Sequence, residues 1–386
     1  MDSSPAPTRA IRPAVRWFFR CWIVGTILLA GAVGAEAILR RQQRAIGRSN
    51  QIDAGLVLHD RLLGWRLQAG WSGGHRHHDF SVRYAVNARG FRADTPELPR
   101  NSGRPLAVAL GDSYTFGYGV NDHETFVHQL HAQSVAGFDY FNAGVPGYST
   151  DQEALLLENE LWSLQPQRVL LFVYLANDLL DNLREVPLQL RTAKPRFEPV
   201  GGELVLRNVS VPVNSEARIV PWMPVVLGED SSRWSTRTRL EFRYELFRLL
   251  SPPWPAERDY RPELAERFAP AVTLFDQIVG GMARSCARRN VELTVVLLAG
   301  GTYYKVPRSP SAQYQDFFAR EIVRHLQARS IPVIHVAELM RERFAREGTG
   351  VFHPHEGHLT AAGHRRVAEI LARELKAPAV ASASSR

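Results

Sequence analysis

From residue 104 onward, short apolar runs alternate with stretches of helical period. Residues 106–110 (LAVAL), 168–174 (RVLLFVY) and 293–298 (LTVVLL) show almost no polar alternation. That is the pattern of strands buried on both faces of a parallel sheet. Residues 138–141 and 331–335 read as two further short strands. Helical patterns fall between them at about 124–134, 149–164, 313–329 and 360–376, with Ser149 or Thr150 as N-cap of the second. This alternation predicts an α/β fold, a doubly wound parallel sheet with helices on both faces.

Two segments break the rhythm. Residues 48–103 are punctuated by Gly64-Trp65, Gly70 to Gly74 and Asn87-Ala88-Arg89-Gly90, and read as a small strand-rich extension. Residues 184–255 carry Pro187, Pro195, Pro199, Pro212, Pro221, Pro224, Pro252, Pro253 and Pro255, with a hairpin expected at Gly201-Gly202. An insertion of that length is too long for a plain loop. It is either a lid or substrate-recognition subdomain or an addition without catalytic consequence. The expected organisation is an anchor over 1–47, the extension over 48–103, an α/β domain over 104–380 and a disordered tail over 381–386.

The longest apolar run lies near the N-terminus, over residues 21–39, and is interrupted only by Thr26 and Glu36. Spanning the hydrocarbon of a bilayer takes about 20 residues, so the run qualifies. Trp17 and Trp22 suit the interface, and arginines bracket the run on both sides, which disfavours a buried core helix. A signal peptide cut after Ala35-Glu36-Ala37 is the alternative. An uncleaved single-pass anchor is preferred, because the preceding basic segment is long and Glu36 is unusual in a cleavage site.

Composition narrows the class. The 386 residues are 45% hydrophobic and 22% charged, enough for a large packed core and too apolar for a disordered chain. Two cysteines, Cys21 and Cys286, exclude a disulfide scaffold and a cysteine-rich zinc module. The net charge of +8 is spread along the chain and is almost entirely arginine, with lysine only at 194, 305 and 376. There is no basic run or zinc-finger spacing, so nucleic acid is not an expected partner, and an anionic membrane surface is the better match. His75, His77 and His78 lack carboxylate or cysteine partners at ligand spacing and read as a solvated loop rather than a metal site.

The candidate chemistry begins directly after the LAVAL run, at Gly111-Asp112-Ser113-Tyr114-Thr115-Phe116-Gly117-Tyr118-Gly119. A serine between a buried strand and a helix stands at the carboxyl edge of the sheet, where ligand crevices form. The segment is not a Gly-x-Ser-x-Gly elbow, because residue 115 is Thr, and no P-loop lysine follows.

At this segment the sequence resembles the SGNH/GDSL hydrolase family. The family's second block resembles Asn142-Ala143-Gly144-Val145-Pro146-Gly147, the third Leu175-Ala176-Asn177-Asp178, and the last Glu356-Gly357-His358-Leu359-Thr360-Ala361-Ala362-Gly363-His364. Ala176 and Leu175 depart from the small glycine usual in the third block. The resemblance covers about residues 104–376. It implies a three-layer α/β/α flavodoxin-like domain, a nucleophile at Ser113 and a base at His358. It also implies an oxyanion hole from the Ser113 and Gly147 backbone N–H groups and the Asn177 amide, with no metal and no organic cofactor.

The family's acid is usually an aspartate three residues before the base. His355 stands there, and Glu356 stands two before. A carboxylate orients the imidazole and stabilises its charged form, so Glu356 is expected to be the acid, with a Ser113–His358 dyad as the alternative. His353, His355 and His364 are not expected to be catalytic.

The function implied is a membrane-anchored, extracytoplasmic bacterial serine esterase acting on an O-acyl group, acetyl by expectation, of a carbohydrate or lipid. An O-acyltransferase working on exported polysaccharide would use the same residues, since both reactions pass through an acyl-enzyme. A catalytically silent glycan-binding module is the third alternative.

Overall fold

The computed structural model describes residues 13–93, 103–213, 236–251, 259, 261–347 and 350–376. The 381–386 tail lies outside the described residues. The chain divides into two units, Met1–Arg48 with Ser231–Pro252, and Ser49–Asp230 with Pro253–Arg386.

In the first unit, helix α1 (Pro13–Ser49) extends beyond the apolar run at both ends, because the arginine-rich flanks continue the helical pattern. It is the one helix among the described residues long and apolar enough to cross a membrane, with a mean hydropathy of 1.9 in its most apolar window. Two short helices, Thr236–Arg243 and Glu245–Leu250, belong to the same unit. Their packing explains the acid in the apolar run. The Glu36 carboxylate accepts the backbone N–H groups of Glu245 at 3.1 Å and Leu246 at 2.8 Å. These donors open a helix and have no partner within it. Arg40 pairs with Glu36 at 2.6 Å and donates to the Arg243 carbonyl.

The second unit opens with β1 (Gln51–Ile52), β2 (Val57–Asp60), β3 (Gly64–Leu67), β4 (Ser72–His77) and β5 (Phe80–Ala85). β2 and β3 form one antiparallel pair, and β1, β4 and β5 form a small sheet. The α/β part follows with β6 (Leu106–Gly111), α2 (Ser113–Phe116), α3 (Phe126–Ala132), β7 (Asp139–Gly144), α4 (Thr150–Asn159), β8 (Arg168–Tyr174) and α5 (Asp178–Asp181). The hairpin β9 (Arg196–Val200) and β10 (Glu203–Arg207) turns at Gly201-Gly202. Then come α6 (Arg261–Arg288), β11 (Glu292–Leu298), α7 (Gly301–Lys305), α8 (Pro310–Ala328), β12 (Val333–Ile334), α9 (Val336–Glu347) and α10 (Ala361–Glu374).

The central sheet has the order β12-β11-β8-β6-β7, and every pairing in it is parallel. β6 is buried at every position, and β8 and β11 at nearly every one, as their unbroken apolar runs require. Because β6 lies between β8 and β7, the loops leaving these three strands share one carboxyl edge. The edge strand is shorter than the 331–335 pattern suggested. Only Val333 and Ile334 pair with β11, and both are half-buried. Helix α6 has no counterpart among the helical patterns read from the sequence. Pro270 sits inside it, while Leu264, Phe268, Ala271, Val272 and Phe275 are buried.

The strand-rich extension shares the hydrophobic core of the α/β part, to which it contributes Leu63, Trp65, Leu67, Tyr84 and Phe91. Its most consequential residue is Arg92. The Arg92 side chain is fully buried, and its guanidinium donates to the carbonyls of Phe116 at 3.2 Å, Gly117 at 3.2 Å and Val120 at 2.8 Å. Those carbonyls belong to the end of α2 and the turn after it, which α2 is too short to satisfy itself. The guanidinium also lies over the rings of Tyr84, at 4.3 Å, and Phe116, at 4.5 Å. Replacing Arg92 by Met would take a buried donor from each of these carbonyls, leaving Gly117 only the Val120 N–H at 3.3 Å. The Arg92→Met variant is expected to lose about 3 kcal/mol or more of stability, read as a lower urea midpoint at unchanged slope. An unchanged midpoint would contradict this role.

Candidate active site

Strand β6 delivers its last residue, Gly111, to a position where any Cβ would strike the Thr115 side chain, so only glycine fits. Asp112 then caps α2 by accepting the Tyr114 N–H at 2.8 Å, which leaves Ser113 as the first residue of the helix. Asn142 of β7 ties the neighbouring strand to this turn. Its amide donates to the Thr115 carbonyl at 2.9 Å and accepts the Gly144 N–H at 3.0 Å.

The Ser113 Oγ lies 2.7 Å from His358 Nε2. On the other side of the ring, His358 Nδ1 faces both Glu356 oxygens, at 2.7 and 2.8 Å. Glu356 also accepts the backbone N–H of His358 at 2.9 Å, so one carboxylate curls back on its neighbour and fixes backbone and ring together. The imidazole lies between two tyrosine rings, Tyr114 at 4.8 Å and Tyr118 at 4.9 Å, each tilted by less than 40°. Burial alone would lower the His358 pKa. The charge and hydrogen bond of Glu356, with the charge of Asp112, outweigh it and raise the pKa above 6.5. Glu356 shows the mirror image: burial raises its pKa, His358 lowers it by more, and the carboxyl ends below 4.5.

The remaining donors suggested by the sequence lie on the flanking loops. Gly147, after β7, has φ +83°, and a Cβ there would run into Leu190. Trp65 of the extension holds this loop by donating to the Pro146 carbonyl at 3.0 Å. Asn177, after β8, is buried. Its Nδ2 donates to Asp181 at 2.9 Å, and its Oδ1 has no hydrogen-bond partner among the described residues.

The other histidines of the last block have structural partners. His364 is buried on α10 and accepts the Phe126 N–H at 3.2 Å, and burial pushes its pKa down to about 3. His353 is buried against Phe80 and its Nε2 lies 3.2 Å from the Gly119 carbonyl. His355 is exposed and bonded to Asp79 at 2.7 Å. The expectation of a solvated loop holds for His78, exposed in the β4–β5 turn, and is corrected for His75 and His77, which stand on β4. His75 is fully buried on β4, bonded to Tyr84 at 2.6 Å and Asn50 at 2.7 Å, and burial drives its pKa to about 4. His77 stacks on Phe80. The aromatic side chains of Phe80, Tyr84 and Tyr118 close over His75, a tertiary effect that the glycine-rich sequence around it conceals.

Two features were not read from the sequence. Asp79, at the β4–β5 turn, accepts the backbone N–H groups of His355 at 2.8 Å and Glu356 at 2.9 Å. Burial would raise its carboxyl, but these bonds and His355 hold it down at about 2. The second feature is a set of buried acids beneath the site. Asp112, Glu153 and Asp178 are buried, and burial raises all three, Asp112 to about 6 and the others well above their ordinary values, with the charge of Asp112 adding to the rise of both Glu153 and Asp178. Neither Glu153 oxygen has a hydrogen-bond partner among the described residues. Such a carboxyl is stable only when protonated.

A carboxyl whose folded pKa is raised contributes most stability below its ordinary value, 4.5 for Glu153, and loses it as pH climbs toward the folded value. Glutamine cannot ionise. The loss of stability between pH 5 and pH 8 is therefore expected to be smaller in Glu153→Gln than in the native protein, as measured by urea unfolding at both pH values. An equal or larger loss in the variant would contradict a protonated Glu153.

A family model, the GDSL-like lipase/acylhydrolase family, matches residues 109–366. Solved structures similar to the chain include a catalytic mutant of an acetylxylan esterase from Geobacillus stearothermophilus, at 10% identity, covering 74% of this chain and 100% of that one with a TM-score of 0.41. A lipase/acylhydrolase from Enterococcus faecalis is similar at 14% identity, over 70% of this chain and 95% of that one, with a TM-score of 0.34. The psychrotrophic esterase EstA from Pseudoalteromonas sp. is similar at 12% identity, over 70% and 96%, with a TM-score of 0.38. No curated protein matches the sequence. With the matched segment running from within β6 into α10 and taking in Ser113, Gly147, Asn177, Glu356 and His358, the chain belongs to the GDSL-like lipase/acylhydrolase family.

Proposed function

We propose that the protein is a serine esterase that cleaves O-acyl esters through an acyl-enzyme on Ser113. The observation that carries this reading is the unbroken hydrogen-bonded chain from Ser113 Oγ through His358 to Glu356, each link 2.7 Å. In the reaction, His358 Nε2 takes the Ser113 proton as Oγ attacks the acyl carbon. The oxyanion is received by the Ser113 and Gly147 N–H groups and by the Asn177 amide, whose Nδ2 has a second proton beyond the one given to Asp181. Each such donor is worth roughly 10²–10³ in rate. Collapse breaks the ester bond, and His358 returns its proton to the departing alcohol. Water, deprotonated by the same imidazole, then releases the acid and restores Ser113. Glu356 keeps the Nδ1 proton in place and stabilises the imidazolium, an effect that the flanking Tyr114 and Tyr118 rings reinforce.

The acyl group is expected to be small, acetyl first, on a carbohydrate or lipid. That choice follows the family and an anchor that would hold the enzyme at a membrane surface. Ser113→Ala removes one hydroxyl from a turn at the sheet edge. It is expected to abolish turnover of p-nitrophenyl acetate and labelling by a fluorophosphonate probe while the thermal midpoint stays within about 2 °C. Labelling that persists in the variant would overturn the nucleophile.

The proposed topology places α1 across the bacterial inner membrane with the hydrolase domain on the outer side, since long domains translocate largely regardless of charge. Alkaline phosphatase fused to the C-terminus is expected to be active in a bacterial host. An inactive fusion, with a cytoplasmic reporter active at the same point, would reverse the topology.

A further inference from the structure

We propose that His78, Asp79 and His355 form a binding site for a zinc-class divalent ion that fastens the β4–β5 turn to the loop bearing Glu356 and His358. One ligand atom from each of the three lies within 4.8 Å of the other two. In a tetrahedral zinc site, with metal–ligand distances of about 2.0–2.2 Å, ligand atoms stand roughly 3.3–3.6 Å apart. A small swing of an exposed side chain closes that gap. Two imidazoles and a carboxylate are a donor set that selects zinc, copper or nickel over magnesium and calcium.

The side chains have the freedom and the rigidity such a site needs, each in the right place. The rings of His78 and His355 are exposed and meet edge to face at 4.8 Å, which gives an ion direct access from solvent. Asp79 is the fixed element. Its side chain is only 2% exposed, and Oδ2 is held by the two backbone N–H groups of His355 and Glu356. A ligating carboxylate oriented by hydrogen bonds to its second oxygen is the usual support for a metal ligand. The Oδ1 atom points at His355 Nδ1, 2.7 Å away. An ion entering here takes the place of the proton between these two atoms, and His78 with water completes the coordination. The site joins residues 276 positions apart in the chain, which is why its second imidazole, His355, does not show when the His75–His78 cluster is read as sequence.

The binding is independent of catalysis and is read without it. Zinc chloride is titrated by calorimetry into the tag-free full chain in detergent at pH 7.5, with native protein, His78→Ala, His355→Ala and His59→Ala, an exposed histidine outside the group. One equivalent is expected to bind to the native protein and to His59→Ala. Each of His78→Ala and His355→Ala is expected to weaken binding at least tenfold. At a zinc concentration of about 100 times the dissociation constant, the native thermal midpoint is expected to rise by roughly 5 °C, and that of His78→Ala by much less. Matching midpoints of the two proteins without zinc establish that the variant is folded. No binding to the native protein, or binding that neither His78→Ala nor His355→Ala weakens, would overturn the site.

Discussion

Three hydrogen bonds to one buried carboxylate fix the loop on which the proposed base and acid stand. Asp79 accepts from the backbone of His355, the backbone of Glu356 and the ring of His355. The loop has few other constraints of its own. It lies outside the helices and strands and gains order from the isolated bridge between Phe352 and Leu359 and from the His353 N–H bond to the His358 carbonyl. A serine hydrolase relay tolerates little error in the position of its imidazole. In this protein that position is set by a residue from the opposite end of the hydrolase unit.

The extension therefore does more than precede the α/β part. Arg92 closes the turn after Ser113 through three carbonyls, Trp65 holds the loop of Gly147 through the Pro146 carbonyl, and Asp79 holds the loop of Glu356. Each proposed catalytic segment except the Asn177 loop is thus braced by the same group of strands. Asn177 is braced from within, by Asp181 one turn along α5. The buried acids around Asp112 are the cost of this arrangement. Asp112 is needed as the cap of α2, and its charge adds to the burial that raises the pKa of Glu153 and of Asp178. Protonation of Glu153, neither of whose oxygens has a hydrogen-bond partner among the described residues, reconciles the cluster with a stable interior.

Much of the fold was legible in the sequence because it is written locally. The strands β6, β8 and β11 are unbroken apolar runs, and the turn after β6 announces itself by glycines around Ser113. Glu356 stood out as the carboxylate nearest His358 in sequence, and its extra methylene lets it reach back across two residues to Nδ1. What was not legible depends on contacts between distant segments. Asp79 looks like an ordinary turn residue until His355 and Glu356 arrive against it. His75 looks solvated until Tyr84 and Asn50 take both of its ring nitrogens. Helix α6 was obscured by Pro270 and the prolines before it, although its buried face keeps helical spacing. Glu36 reads as a flaw in an apolar run because the helix it caps lies more than 200 residues later.

The central claim is that Glu356, held by Asp79 and oriented on His358 Nδ1, is the acid of the relay. Glu356→Gln keeps the size of the side chain and removes its charge, so the measurement that tests the claim most directly is its turnover of p-nitrophenyl acetate against the native protein. A fall in kcat of ~10²–10⁴ is expected, as for loss of the carboxylate in comparable relays. Turnover close to that of the native protein would contradict it and leave a Ser113–His358 dyad.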